Sequence, residues 1–124
     1  MQGQKLAGKS FGPGAKVPIP MAMRLFVTEV NSSRELRLVG ELDMTTTSEL
    51  SRMLDPKLVE GGDVVLDVEG LQFMDSTGLQ VLIRSAISLD GRGRMILRAP
   101  GNLVRSILDL AIRTDKIPNL VIED

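Results

Sequence analysis

The sequence predicts one α/β domain, a mixed β-sheet with helices packed against it and elements in the order ββαβαβαβ. Two apolar runs separated by turn residues open the pattern, and three helical stretches then alternate with short apolar runs. The length of 124 residues matches one domain and is too short for two. This order predicts an opening hairpin, followed by strands that are largely parallel and joined by right-handed crossovers.

Residues 1–20 differ in composition from the rest of the chain. They contain three lysines, no acidic residue and a Gly/Pro-rich run from Phe11 to Pro20. No apolar block among them is long enough for a signal peptide or for the ~20 residues of a membrane span. We expect a flexible leader or tag over residues 1–20 and the folded domain over residues 21–124.

The opening pair of strands is predicted over residues 24–30 and 35–42. Both runs are apolar and partly alternating. The residues between them, Asn31, Ser32 and Ser33, favour a turn, so we expect a β-hairpin.

A helix is predicted next, because residues 45–48 supply N-cap side chains and an apolar stripe follows. Pro56 lies within this stretch, and its ring opposes the carbonyl group four residues earlier. We therefore expect a kink or a break near Asp55, before the helix ends at Gly61 and Gly62. The stripe consists of Leu50, Met53, Leu54 and Leu58.

The second half of the chain alternates strands and helices. Residues 64–68 form a short apolar run that suits a central strand covered on both faces. Strands are also predicted over residues 94–99 and 120–122, and residues 100–102 introduce the last helix. The middle helix presents Leu79, Leu82, Ile83, Ala86 and Ile87, and the last one Val104, Ile107, Leu108, Ala111 and Ile112.

The composition excludes several classes of function. The chain has neither cysteine nor histidine, which removes disulfides, thiolate and imidazole metal sites and every Ser-His-Asp triad. Hydrophobic residues make up 43% of the chain, enough for a core without a metal or a disulfide. We expect no metal, no cofactor and no enzymatic activity.

Charge and aromatic content argue against a nucleic-acid partner. Residues 21–124 carry 12 Lys and Arg against 16 Asp and Glu, a net charge of −4, so they create no basic field. Aromatic residues, on which single-stranded nucleic acids stack, are only 2% of the chain. Without a span or a signal sequence, no membrane partner is expected and the cytoplasm is the natural compartment.

The segment from Phe73 to Leu79 carries the candidate chemistry, because a strand there gives way to a helix through Asp75, Ser76, Thr77 and Gly78. Ser76 is expected at or beside the helix N-terminus, where unpaired backbone N–H groups can hold a hydroxyl or a phosphate. The alternative is structural: Asp75 or Ser76 is an N-cap, and Gly78 permits close packing.

These residues, together with Gly40-Glu-Leu-Asp43 and residues 64–68, resemble the STAS domain of bacterial anti-sigma factor antagonists. The resemblance implies a STAS-like fold and a protein that binds its partner only when unphosphorylated. That partner is an anti-sigma factor, a histidine-kinase-like serine kinase, and its capture frees a sigma factor. Phosphorylation by the kinase releases the antagonist, and a PP2C-type phosphatase restores binding.

The resemblance also assigns roles to single residues. It places the phosphoacceptor at Ser76 and the partner-binding surface at Asp43, Asp75, Ser76, Thr77 and Gly78. Thr77 stays open as an acceptor, because both hydroxyls lie in one turn, and Asp43 has a structural alternative as a cap of the following helix. An alternative function is that of an adaptor subunit in a stressosome-like or transporter-associated complex.

Overall fold

The computed structural model describes residues 24–124, which form one mixed sheet of five strands and three helices. The order is the expected ββαβαβαβ. The leader expected over residues 1–20 lies outside the described residues, so the domain boundary stays a prediction. The elements are β1 (Leu25–Val30), β2 (Ser32–Leu42), α1 (Thr47–Glu60), β3 (Val64–Met74), α2 (Ser76–Ser88), β4 (Met95–Arg98), α3 (Asn102–Asp115) and β5 (Leu120–Glu123).

The strands lie in sequence order across the sheet. β1 and β2 are antiparallel, and each later neighbouring pair is parallel, which confirms the predicted hairpin and parallel region. The hairpin turn is tighter than expected, since β2 begins at Ser32 rather than near residue 35. Asn31 makes this possible by adopting a left-handed conformation with φ of 64°, which asparagine tolerates better than most residues.

The three helices share one core with one face of the sheet. Alternate residues of β2, namely Leu36, Leu38 and Leu42, are fully buried in it, as the two-residue period of a strand requires. The helices contribute Leu50, Leu54, Leu58, Leu82, Ala86, Val104 and Leu108 to the same cluster, and Leu89, the residue after α2, joins them. Ile87, expected on the buried stripe of the middle helix, is instead exposed.

The opposite face of the sheet carries ion pairs. Arg37 on β2 lies 3.3 Å from Asp67 on β3, and Arg98 on β4 lies 2.8 Å from Glu35 on β2. The Arg98 guanidinium also lies 2.7 Å from a carboxylate oxygen of Glu123 on β5. These arginines are therefore bound to acids of their own sheet.

Helix α1 continues through Pro56, so the break offered as one of two outcomes near Asp55 is wrong, while the kink stays a prediction. Pro56 lies on the exposed face of the helix, where the carbonyl group of Arg52 that it leaves without a partner can be hydrated. On the opposite face Leu54 and Leu58 are buried in the core. Their packing holds the helix together across the proline, since tertiary burial outweighs local propensity.

The first turn of α2 lies close to the end of β2. A Cβ atom at Gly78 would lie 2.6 Å from the Leu42 carbonyl oxygen and 2.7 Å from Leu42 Cγ. Only a residue without a side chain fits there, so the packing role foreseen for Gly78 is present in the structure.

Replacing Pro56 with alanine is expected to raise the free energy of unfolding by about 2 kcal/mol. Alanine restores the N–H donor and costs about 3 kcal/mol less in a helix interior, although it makes the unfolded chain more flexible. Urea denaturation measures the change, with Asp55→Ala as a control at the exposed neighbouring position. A Pro56→Ala variant no more stable than this control would contradict the expectation.

Replacing Gly78 with alanine is expected to lower the free energy of unfolding by about 2 kcal/mol, because the methyl group overlaps Leu42 and the backbone must move. Gly101→Ala is the control for a methyl group added in open space, since a Cβ atom there meets nothing within 4 Å; Gly101 is the N-cap of α3, so a smaller loss of its own is expected. Thermal and urea unfolding measure the stability of both variants. Equal losses of stability in the two would refute the close packing at Gly78.

Candidate functional site

The candidate site lies at one edge of the sheet, where the neighbouring parallel strands β2 and β3 end. Leu42 and Met74, their last residues, are register partners. One residue further along each chain segment are Asp43 and Asp75. The Asp75 N–H donates a hydrogen bond of 3.1 Å to the Leu42 carbonyl oxygen, so the β2–α1 loop and the start of α2 are held side by side.

Asp75 is the N-cap of α2 and also contacts the neighbouring loop. One carboxylate oxygen accepts a hydrogen bond of 2.9 Å from the Gly78 N–H in the first turn of the helix. The other accepts a bond of 3.3 Å from the Met44 N–H in the β2–α1 loop. Of the two N-caps considered for this helix, Asp75 is therefore the one in the structure.

Ser76 is the first residue of α2, and its side chain is exposed. Its hydroxyl makes no hydrogen bond to any residue in the part of the chain that the structure describes. It lies at the positive end of the helix dipole, where an anion is stabilised. Thr77, one residue later, is half-buried, so Ser76 is the more accessible of the two hydroxyls.

Asp43 stabilises its own loop. Its Oδ1 accepts hydrogen bonds from the backbone N–H of Thr45 at 2.9 Å and from the Thr45 hydroxyl at 2.7 Å. These bonds to the ionised form hold the pKa of the Asp43 carboxyl below its usual value, so it is charged at neutral pH. The N-cap position of α1 belongs to Thr46, so Asp43 closes a turn before the helix instead of capping it.

Thr46 is a structural residue of the site that the sequence analysis did not single out. It is buried, and its Oγ1 donates a hydrogen bond of 2.8 Å to the Glu41 carbonyl oxygen. The same oxygen accepts a bond of 2.9 Å from the Asp43 N–H. Three consecutive threonines offered several equivalent caps in the sequence, and only the fold distinguishes the buried one.

The site therefore combines an accessible hydroxyl with two carboxylates in two ordered loops. Gly78 is buried, so it shapes the site without presenting contact surface.

Within residues 24–124 no group of three or more acidic side chains converges as a metal site would require. None of the helices described here is long and apolar enough to cross a membrane.

Another pattern, which the sequence analysis passed over, matches a phosphate-binding loop. Residues 3–10 have glycine at positions 3 and 8 followed by Lys9 and Ser10, the spacing of Gly-x-x-x-x-Gly-Lys-Ser. That pattern carries weight only where a strand leads into the loop and a helix follows. These residues lie outside the part of the chain that the structure describes.

Comparison with known proteins identifies the domain and several relatives. The model of the STAS domain family matches residues 26–122. The anti-sigma-B factor antagonists of Staphylococcus aureus strains NCTC 8325 and COL are each 31% identical over 71 residues. The match covers 56% of this chain and 66% of each relative, so it spans slightly less than two thirds of their length.

Two solved structures share the fold. The anti-sigma factor antagonist SpoIIAA in its unphosphorylated form superposes with a TM-score of 0.59 at 20% identity, covering 81% of this chain and 87% of SpoIIAA. The Bacillus cell fate determinant SpoIIAA in its phosphorylated form gives a TM-score of 0.58 at 20% identity, with coverage of 81% and 91%. The fold and the extent of the family match agree, and the chain belongs to the STAS domain family.

Proposed function

We propose that this chain is an anti-sigma factor antagonist that is switched off by phosphorylation at Ser76. In its unphosphorylated form it binds an anti-sigma factor serine kinase and thereby frees a sigma factor. The observation that carries the proposal is the exposed Ser76 hydroxyl on the first residue of α2, without a hydrogen-bond partner among residues 24–124. Relatives that are anti-sigma-B factor antagonists, and a fold known in phosphorylated and unphosphorylated forms, support it.

The location of Ser76 explains how a phosphate could change binding without unfolding the domain. Phosphoserine adds about −1.5 to −2 charges and three acceptor oxygens. At the start of α2 this charge meets unpaired N–H groups and the positive end of the helix dipole, so the fold tolerates it. Asp43 and Asp75 lie in the same pair of loops, so the phosphate adds to negative charge that is already present.

The same charge opposes complex formation. A kinase surface that accommodates the neutral serine would have to desolvate a phosphate dianion in a pair of loops that already carries the Asp43 and Asp75 carboxylates. A penalty of about 3 kcal/mol weakens a complex more than a hundredfold. That is sufficient to release one partner.

The five site residues have different roles in this proposal. Ser76 accepts the phosphate, Asp43 and Thr77 present polar groups to the kinase around it, and Asp75 orients the two loops. Gly78 acts through packing, because it is buried against Leu42. A PP2C-type phosphatase removes the phosphate and restores binding.

In this proposal the chain is a protein-binding regulator and not an enzyme. The kinase supplies the catalytic base and the nucleotide, so Asp75 is needed to orient the loop and not for proton transfer. Because the kinase consumes ATP and the sigma factor acts on transcription, the proposed place of action is the cytoplasm.

Substitutions at Ser76 test the switch. Ser76→Ala is expected to bind the kinase as the wild type does and to remain bound in the presence of ATP, because no phosphate can be added. Ser76→Glu is expected to bind at least about tenfold more weakly, because it places a charge at the same position while an acid in the first helical turn preserves the fold. Calorimetric titration with candidate anti-sigma kinases from the source genome measures both affinities.

Thr77→Ala is the control for the choice of acceptor. It should still gain one phosphate when incubated with kinase and ATP, as seen by mass spectrometry, whereas Ser76→Ala should gain none. Equal affinities of Ser76→Ala and Ser76→Glu, or a phosphate located on Thr77, would refute the assignment.

Asp43→Ala is expected to weaken kinase binding about tenfold, with less than about 1 kcal/mol lost in stability. The carboxylate orders its own exposed turn, mainly through Thr45 and by a longer bond of 3.4 Å from the buried Thr46 hydroxyl, which has a shorter bond to Glu41. Affinity and melting temperature are measured on the same preparation. A large fall in melting temperature with unchanged affinity would show that Asp43 is purely structural.

A further inference from the structure

We propose that Met44 is the apolar anchor of the kinase-binding surface and that Asp75 is the positioning residue that holds it beside Ser76. The inference rests on the proposed function and adds a specific contact to it. The polar site residues explain how a phosphate repels a partner, whereas Met44 provides apolar area for binding that partner.

Met44 is unusually exposed for a long apolar side chain. Its exposure is 71%, and it lies between Asp43 and Thr45 at the tip of the β2–α1 loop. Val59 on α1 and Leu110 on α3 are also strongly exposed, but they lie outside the two site loops. Phe73, near the end of β3, is less exposed, at 40%. An apolar side chain ringed by polar groups is the usual composition of an interface anchor, and methionine adapts well to a partner surface.

The loop that carries Met44 is ordered from within. Asp43 binds Thr45 through two hydrogen bonds, and the buried Thr46 binds backbone groups of Glu41 and Asp43. A side chain on a fixed turn loses less conformational entropy on binding than one on a mobile loop. The backbone of Met44 is therefore held in one position, and its side chain starts from a fixed point on the surface.

Asp75 connects this turn to the phosphoacceptor. One carboxylate oxygen accepts from Gly78 N–H at 2.9 Å, and the other from Met44 N–H at 3.3 Å. Because a single side chain bonds to both segments, it sets the position of the Met44 backbone relative to the first turn of α2. A partner that contacts Met44 is thus brought to Ser76, the next residue after Asp75.

The first test compares truncations of two exposed apolar side chains. Met44→Ala is expected to weaken binding to the kinase at least about tenfold, and Met44→Leu, which keeps the apolar area, should bind nearly as wild type. Val59→Ala is the matched control, because Val59 is 80% exposed and lies about 18 Å along the helix from Thr47, the first residue of α1. It should leave affinity unchanged. The probe is the kinase that phosphorylates the wild-type chain.

The second test separates the two hydrogen bonds of Asp75. In Asp75→Asn the amide oxygen can still accept from the Gly78 N–H, but the amide NH₂ then faces the Met44 N–H, so two donors meet. The melting temperature should stay close to that of the wild type while affinity falls. Because Asp75 acts through Met44, adding Asp75→Asn to Met44→Ala should weaken binding little further.

The outcomes distinguish a failure of this inference from a failure of the proposed function on which it rests. If Ser76→Glu fails to bind while Met44→Ala binds as tightly as the wild type, the inference is wrong and the switch stands. Additive losses in the double variant would overturn the positioning role of Asp75. If the wild type neither binds nor is phosphorylated by any candidate kinase, the proposed function itself fails and the inference falls with it. Circular dichroism of each variant establishes that the fold is intact.

Discussion

The arrangement of the candidate site depends on how closely α2 approaches the end of β2. The backbone N–H of Asp75 binds the Leu42 carbonyl oxygen at 3.1 Å, and Gly78 leaves no room for a side chain against the same residue. A bulkier residue at position 78, or a shift of one strand, would separate the two loops. The Asp75 carboxylate could then no longer bond to Met44. The acceptor, the two acids and the exposed methionine lie together because two parallel strands end at the same level.

The fold separates stability from switching. The helices and one face of the sheet share a single buried core, while Ser76 lies outside it at the edge of the sheet. A charged group added there changes the surface and leaves the core packing untouched. In our proposal the domain therefore regulates binding through local electrostatics, without a change of fold, and a phosphatase can reverse the change by removing one group.

Much of the fold was accessible from the sequence, because the element order follows from hydrophobic periods. The strand-to-helix junction predicted where Ser76 lies, whereas its role as acceptor comes from the resemblance to the STAS domain and stays a prediction. The error at Pro56 came from weighing local propensity alone, when the proline lies opposite the buried Leu54 and Leu58. Met44 and Thr46 were not distinguished from their neighbours, because exposure and burial within one loop depend on contacts with distant strands. Hydrogen bonds such as that between Asp75 and Met44 link residues 31 positions apart, so no local pattern encodes them.

The most direct test compares the purified chain, phosphorylated stoichiometrically on Ser76, with the unmodified chain in two measurements on the same samples. The account predicts a melting temperature within about 2 °C of the unmodified protein, because the phosphate lies at a helix N-terminus. It also predicts an affinity for the kinase more than about a hundredfold lower. A phosphorylated chain that bound the kinase as tightly, or that lost binding only by unfolding, would contradict it.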